Sequence, residues 1–107
     1  MNAPFETHFL AIHVIRSIMS IIECVALPQP KVSVPAMQVL GGIAAASSTH
    51  AIELALLGLL NQLNTTLNST EKSLRKESCV TLNRFLVSSG ADGVQVYFIS
   101  NHSIKMM

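Results

Sequence analysis

The chain has 107 residues, half of them apolar and only 12% charged, and its net charge is +1. This balance excludes a disordered tail, which combines low hydropathy with high charge, and it leaves no dense Lys/Arg stripe for generic nucleic-acid binding. Because soluble domains are roughly a quarter charged, we expect part of the apolar surface to meet a neighbouring element or molecule.

The first predicted element is an apolar helix over about residues 5–27. Ile15, Ile18, Ile22 and Val25 recur at helical spacing and mark one face. A membrane-spanning helix needs roughly 20 nearly uninterrupted apolar residues, and no basic segment precedes this stretch as in a secretory signal. We therefore predict no membrane role, because polar and charged side chains interrupt the stretch at Glu6, His8, His13, Arg16 and Glu23.

Four breaks divide the chain. Residues 28–30 (Pro-Gln-Pro) end the first helix, because proline cannot continue a helix and disfavours it in the preceding residue. Residues 47–49 (Ser-Ser-Thr) supply N-cap hydroxyls for the next helix. Residues 68–70 (Asn-Ser-Thr), with Glu71 three positions after the asparagine, form a loose capping box. Residues 88–90 (Ser-Ser-Gly) make the fourth break.

The segments between the breaks are too long for strands, and their apolar residues recur at helical spacing. Alternation of apolar and polar residues is weak and confined to residues 94–98. The sequence therefore predicts an all-α chain with short connections. The further apolar faces are Met37, Leu40, Ile43 and Ala44; Leu56, Leu59, Leu60 and Leu63; and Leu74, Cys79, Leu82, Phe85 and Leu86.

The chain matches itself at an offset of 42 residues. A period near 40 is typical of armadillo and HEAT repeats, in which each unit buries its apolar face against the next. We predict one domain over residues 1–107, with a partial repeat at about 5–46, a second at 49–88 and the start of a third at 90–100. The offset lays Val14, Ile15, Ile18, Ile21, Val25, Val32, Met37, Leu40 and Ile43 on Leu56, Leu57, Leu60, Leu63, Leu67, Leu74, Cys79, Leu82 and Phe85.

Two of these segments resemble a known family. Residues 31–43 (KVSVPAMQVLGGI) are similar to the third helix of a central importin alpha repeat, and residues 72–85 (KSLRKESCVTLNRF) to the next one. Residues 58–63 (GLLNQL) resemble the second helix of such a repeat. The resemblance spans about residues 14–100 and implies an armadillo-type right-handed helical solenoid of about two to two and a half repeats.

The resemblance also implies where a ligand would bind. Importin alpha carries proteins with basic nuclear localisation signals, which lie on third helices that offer a Trp and, four residues later, an Asn. In this chain the Trp positions hold Gln38 and Val80, and the Asn positions hold Gly42 and Arg84. Both pairs are lost, and Arg84 adds a positive charge that repels a cationic peptide. We expect Arg84 to extend into solvent or to pair with Glu77.

The resemblance implies a nuclear import adaptor, located in cytoplasm and nucleus, that binds basic signal peptides weakly and uses no cofactor. The alternative is a non-catalytic helical interaction module without cargo, which could self-associate through apolar ends. The first end holds Phe5, Phe9 and Leu10, and the second holds residues 96–99. We expect no enzymatic activity, because neither a phosphate-binding loop nor a nucleophile elbow is present.

The histidines and cysteines predict no metal site. His8 and His13 are five residues apart, a spacing that turns them away from each other on a helix, and His50 and His102 have no cluster of ligating residues beside them in the sequence. Cys24 and Cys79 lack the spacing of a metal knuckle or a redox pair. We expect both cysteines to be small buried apolar residues.

Overall fold

The computed structural model describes the backbone of residues 4–106 and the side chains of residues 12–99. Within this part of the chain every regular element is a helix, so the prediction of an all-α chain is confirmed. The weakly alternating residues 94–98 are helical as well. The helices are α1 (Pro4–Val25), α2 (Pro30–Ala46), α3 (Ser48–Leu56), α4 (Leu59–Thr66) and α5 (Lys72–Met106).

Three of the helix boundaries lie at the predicted breaks. α1 ends at Val25, and Pro30 occupies the first turn of α2, where its missing N–H costs no hydrogen bond. Ser47 separates α2 from α3 and caps α3, because its hydroxyl oxygen accepts a 3.1 Å hydrogen bond from the backbone N–H of His50. The third boundary, between α4 and α5, falls at residues 67–71.

The capping of α5 differs from the prediction. Asn68 does not cap this helix, because its side-chain amide donates a 3.0 Å hydrogen bond back to the carbonyl oxygen of Asn64 in α4. The Ser69 hydroxyl oxygen instead accepts a 3.0 Å bond from the backbone N–H of Glu71. The guanidinium of Arg75 also donates a 2.7 Å bond to the carbonyl oxygen of Ser69, which ties the loop to the first turn of α5.

Two glycines bend the chain where an L side chain would be strained. Gly58, at φ +112°, separates α3 from α4, a break that the apolar spacing of Leu56, Leu59 and Leu60 does not reveal. Gly90, at φ +64° and ψ −143°, kinks α5 at the predicted fourth break. Since these dihedrals are readily adopted only by glycine, α5 consists of two helical segments, 72–89 and 91–106.

The core lies around α2, which packs against α1, α3 and α5. Helix α5 also packs on α3 and α4, and α4 contacts α1 as well. Hydroxyl groups hold two of these contacts: Ser78 Oγ lies 2.6 Å from Thr66 Oγ1 of α4, and Thr81 Oγ1 donates a 3.2 Å bond to the carbonyl oxygen of Met37 in α2. The fully buried large apolar side chains include Val25, Met37, Leu40, Leu54, Leu59, Leu60, Leu63 and Phe85.

Most residue pairs related by the 42-residue offset have similar burial. Val14 and Leu56 are both exposed, and pairs such as Leu40 with Leu82 lie in the core or against it. The clearest exception is Met37, which is completely buried, whereas its equivalent Cys79 is exposed. The reason is position, because α5 packs on the Met37 side of α2, and the equivalent side of α5 has no further helix against it among the described residues.

Candidate functional site

The four predicted groove residues lie on two helices that pack against each other. Gln38 and Gly42 are exposed on α2, and on α5 Arg84 is exposed and Val80 is half-buried. The contact between the helices runs through Thr81, which bonds to the carbonyl oxygen of Met37.

Side chains of α5 approach the backbone of α2 closely at Gly41. A Cβ atom at this position would lie 2.9 Å from Thr81 Oγ1, 3.3 Å from Arg84 Nη1 and 3.7 Å from Arg84 Cδ. The side chain of Arg84 therefore extends across Gly41 onto α2. At the neighbouring Gly42 an added Cβ would meet no atom within 4 Å, so the surface there is open.

The predicted residues share one side of the helix pair. Met37 contacts Thr81, and Gly41 faces Thr81 and Arg84, so the contacts advance in the same direction along both helices. In two parallel right-handed helices, the residue after a contact on one helix lies on the same side of the pair as the residue before that contact on the other. Gln38 and Val80 flank the Met37–Thr81 contact in this way, and Gly42 and Arg84 lie one turn further along each helix. We call this surface the α2–α5 trough; it is formed by Gln38, Gly42, Val80 and Arg84.

The α2–α5 trough offers polar groups but no aromatic side chain. The amide of Gln38 can donate and accept hydrogen bonds, as an extended peptide backbone requires. Val80 cannot form a slot for a Lys or Arg stem, which needs an aromatic face. Arg84 is exposed while its side chain lies across Gly41, and no ion pair joins it to Glu77 in the part of the chain that the structure describes.

A pocket joins the two loops that are equivalent in the 42-residue register. This pocket of about 310 Å³ is lined by Pro28 and Pro30 before α2, and by Ser69, Thr70 and Glu71 before α5. The loops are therefore neighbours in space, which is the arrangement that stacked repeats produce. The pocket holds no cluster of catalytic or ligating side chains.

The remaining chemistry-bearing residues are dispersed. His50 Nδ1 lies 2.7 Å from the hydroxyl of Ser47, its capping partner. Within the described residues no three His, Cys, Asp or Glu side chains are grouped to hold a metal ion, and no helix there has the length and apolarity to cross a membrane. The expectation of buried cysteines is wrong, because Cys79 is exposed and Cys24 is half-buried. The side chains of His8 and His102 lie outside the described residues.

The sequence prediction missed the two residues that bring the helices together. Thr81 is fully buried and Gly41 is buried, although neither belongs to the apolar faces defined by helical spacing. The signal available in the sequence is the pair of adjacent glycines within α2, since glycine in a helix interior costs stability unless another backbone or side chain approaches closely. Comparison of the chain with protein-family models, curated proteins and solved structures found no match.

Proposed function

We propose that this chain is a non-catalytic, importin-alpha-like module of armadillo repeats that binds extended peptides in the α2–α5 trough. In this proposal α3, α4 and the first segment of α5 form the repeat that follows α2. In this proposal the module belongs to nuclear import in cytoplasm and nucleus, with weakened binding of basic nuclear localisation signals.

The observation that supports this proposal most is the side-by-side packing of α2 and the 72–89 segment of α5. These are the two segments that resemble successive third helices, and they pack side by side through contacts at Gly41, Thr81 and Arg84. The adjacent loops at Pro28–Pro30 and Ser69–Glu71 add a second contact between equivalent parts of the two repeats.

The trough residues explain why basic peptides should bind weakly. Without an aromatic ring at position 80, each Lys or Arg of a peptide loses an attraction of about 0.5–2 kcal/mol. Arg84 also places a positive charge beside any cationic side chain in the trough. We therefore expect a basic signal peptide to bind weakly, with a dissociation constant above the micromolar range.

Val80→Trp combined with Arg84→Asn should restore binding of a basic signal peptide. Because the two positions are one helical turn apart and neither belongs to the buried core, the double variant recreates a Trp–Asn pair without entering the core. We expect affinity to rise at least about ten-fold, in line with one gained cation–π contact and one lost like-charge contact. Fluorescence anisotropy with a labelled peptide measures this change.

The control for this experiment is Cys79→Trp, which with the native Asn83 makes the same Trp–Asn pair one helical turn apart on α5. Both positions are exposed, and neither belongs to the trough. No gain in the Val80/Arg84 variant, or an equal gain in the control, would count against the trough as a peptide site.

The alternative function, an interaction module without cargo, is favoured by a different observation. Large apolar side chains are exposed at both ends of the described part: Ile12 and Val14 on α1, and Val94 and Ile99 beyond the kink in α5. Phe5, Phe9 and Leu10, also expected to contribute, lie outside the described side chains. A molar mass by light scattering that exceeds 11.5 kDa and rises with concentration would support self-association through these ends.

A further inference from the structure

The α2–α5 trough carries positive charge on one side. Lys76 and Arg84 are both exposed and lie two helical turns apart on α5, with the half-buried Val80 between them. Across the trough, α2 contributes Gln38 and Gly42, which are uncharged. The acidic side chain beside this strip is Glu77, which is half-buried and forms no ion pair with either cation within the described residues.

We propose that the trough binds an extended peptide with acidic side chains rather than a basic one. This inference rests on the proposed peptide-binding function and specifies its partner. The guanidinium of Arg84 can bind a carboxylate through two parallel hydrogen bonds, and the Gln38 amide can bind the peptide backbone. Gly42 leaves the open space in which that backbone lies, since nothing approaches its Cβ position within 4 Å.

The spacing of the two cations defines the peptide further. Eight residues of α-helix advance about 12 Å, at 1.5 Å per residue. An extended peptide advances about 3.3 Å per residue and places every second side chain on the same face. Acidic side chains four positions apart therefore lie about 13 Å apart on one face, which matches the distance between Lys76 and Arg84 along α5.

A peptide fits this surface better than a nucleic acid does. Nucleic-acid affinity depends on neutralising many phosphates along a continuous backbone, typically about six to ten. The trough offers two cations with Glu77 beside them, and the whole chain has a net charge of only +1. Two carboxylates held at the right spacing are therefore the partner that the charge pattern favours.

The test is a fluorescence-anisotropy titration of the full chain with a labelled peptide of about ten residues, carrying two Glu residues four positions apart, at low ionic strength where screening is weak. The reference peptides replace both Glu residues by Gln or by Lys. We expect the Glu peptide to bind most tightly, and a peptide with adjacent Glu residues to bind more weakly.

Charge-removing variants locate the site. Since ion pairs at exposed positions are individually weak, Arg84→Gln and Lys76→Gln should each weaken binding of the Glu peptide about two- to five-fold. Glu77→Gln should strengthen it by a similar factor, because it removes the repelling carboxylate. Arg16→Gln is the matched control, and it should leave affinity unchanged. It removes one positive charge from an exposed position on α1, which packs on α2 and α4 but, among the described residues, not on α5.

The outcomes separate this inference from the proposed function. Tighter binding of the Lys peptide would overturn the acidic specificity and leave peptide binding intact. If the Glu peptide does not bind but Val80→Trp with Arg84→Asn gains basic-peptide affinity, only the acidic specificity is overturned; if that gain is absent too, both proposals fail. The inference would also be overturned if Arg16→Gln weakened binding of the Glu peptide as much as Arg84→Gln does. The same holds if single-stranded DNA bound the chain and Arg84→Gln weakened that binding by the same factor.

Discussion

Helix α2 and the 72–89 segment of α5 have the same place in the 42-residue register, yet their burial differs at the positions where the two helices meet. Met37 is fully buried and its equivalent Cys79 is exposed. The reverse holds two residues later, where Val39 is 48% exposed and its equivalent Thr81 is fully buried. Each helix is thus covered on the face that meets the other.

This difference shows that burial at equivalent positions depends on a helix's place in the stack. The residue types agree with this difference, because the large apolar Met37 fills the core, whereas the smaller Cys79 contacts solvent. A further repeat on the outer face of α5 would cover Cys79 and Asn83, as α5 covers Met37 and Gly41. Substitutions at equivalent positions should therefore have unequal effects on stability.

The largest difference is expected between Met37→Ala and Cys79→Ala. Truncation of a fully buried methionine removes apolar contacts and leaves a cavity, which costs about 2–5 kcal/mol. The same substitution at an exposed position should change the free energy of unfolding by less than about 0.5 kcal/mol. Urea unfolding followed by circular dichroism measures both values, and comparable losses would show that the two helices are equally covered.

The adjacent glycines of α2 provide a sharper comparison at closer range. Gly41→Ala places a methyl group 2.9 Å from Thr81 Oγ1, and we expect this overpacking to lower the free energy of unfolding by about 1–2 kcal/mol. Gly42→Ala meets nothing within 4 Å and should raise it by up to about 1 kcal/mol, the helix preference of Ala over Gly. Stabilisation by both substitutions would contradict the close approach of α5 to α2 at Gly41.

The smallest expected effect concerns the hydroxyl of Thr81. Thr81→Val keeps the shape of the side chain but removes its hydrogen bond to the Met37 carbonyl, at a cost of about 1 kcal/mol. Its register equivalent is the control: Val39→Thr adds a hydroxyl at an exposed position and should be neutral within about 0.5 kcal/mol. If Thr81→Val is also neutral, this hydrogen bond does not hold α5 on α2.

Much of the helical organisation could be predicted from local signals. The prolines at 28 and 30 and the hydroxyls at 47–49 act within one turn of the chain, so their effect does not depend on distant contacts. The Gly90 kink was expected for the same reason. The split at Gly58 was not, because the leucines around it continue the helical spacing on both sides of the break, and a single glycine is tolerated in many helices.

The amino-acid sequence alone determined that the chain is helical, where most helices begin and end, and which apolar faces recur at an offset of 42 residues. Periodicity and capping are properties of neighbouring residues, so they can be read without knowing the fold. Only the tertiary structure decided that α5 lies on the Met37 side of α2, that Arg84 crosses Gly41, and that Cys79 is exposed. Those features depend on which helix packs against which face, and residues some forty positions apart determine that contact together.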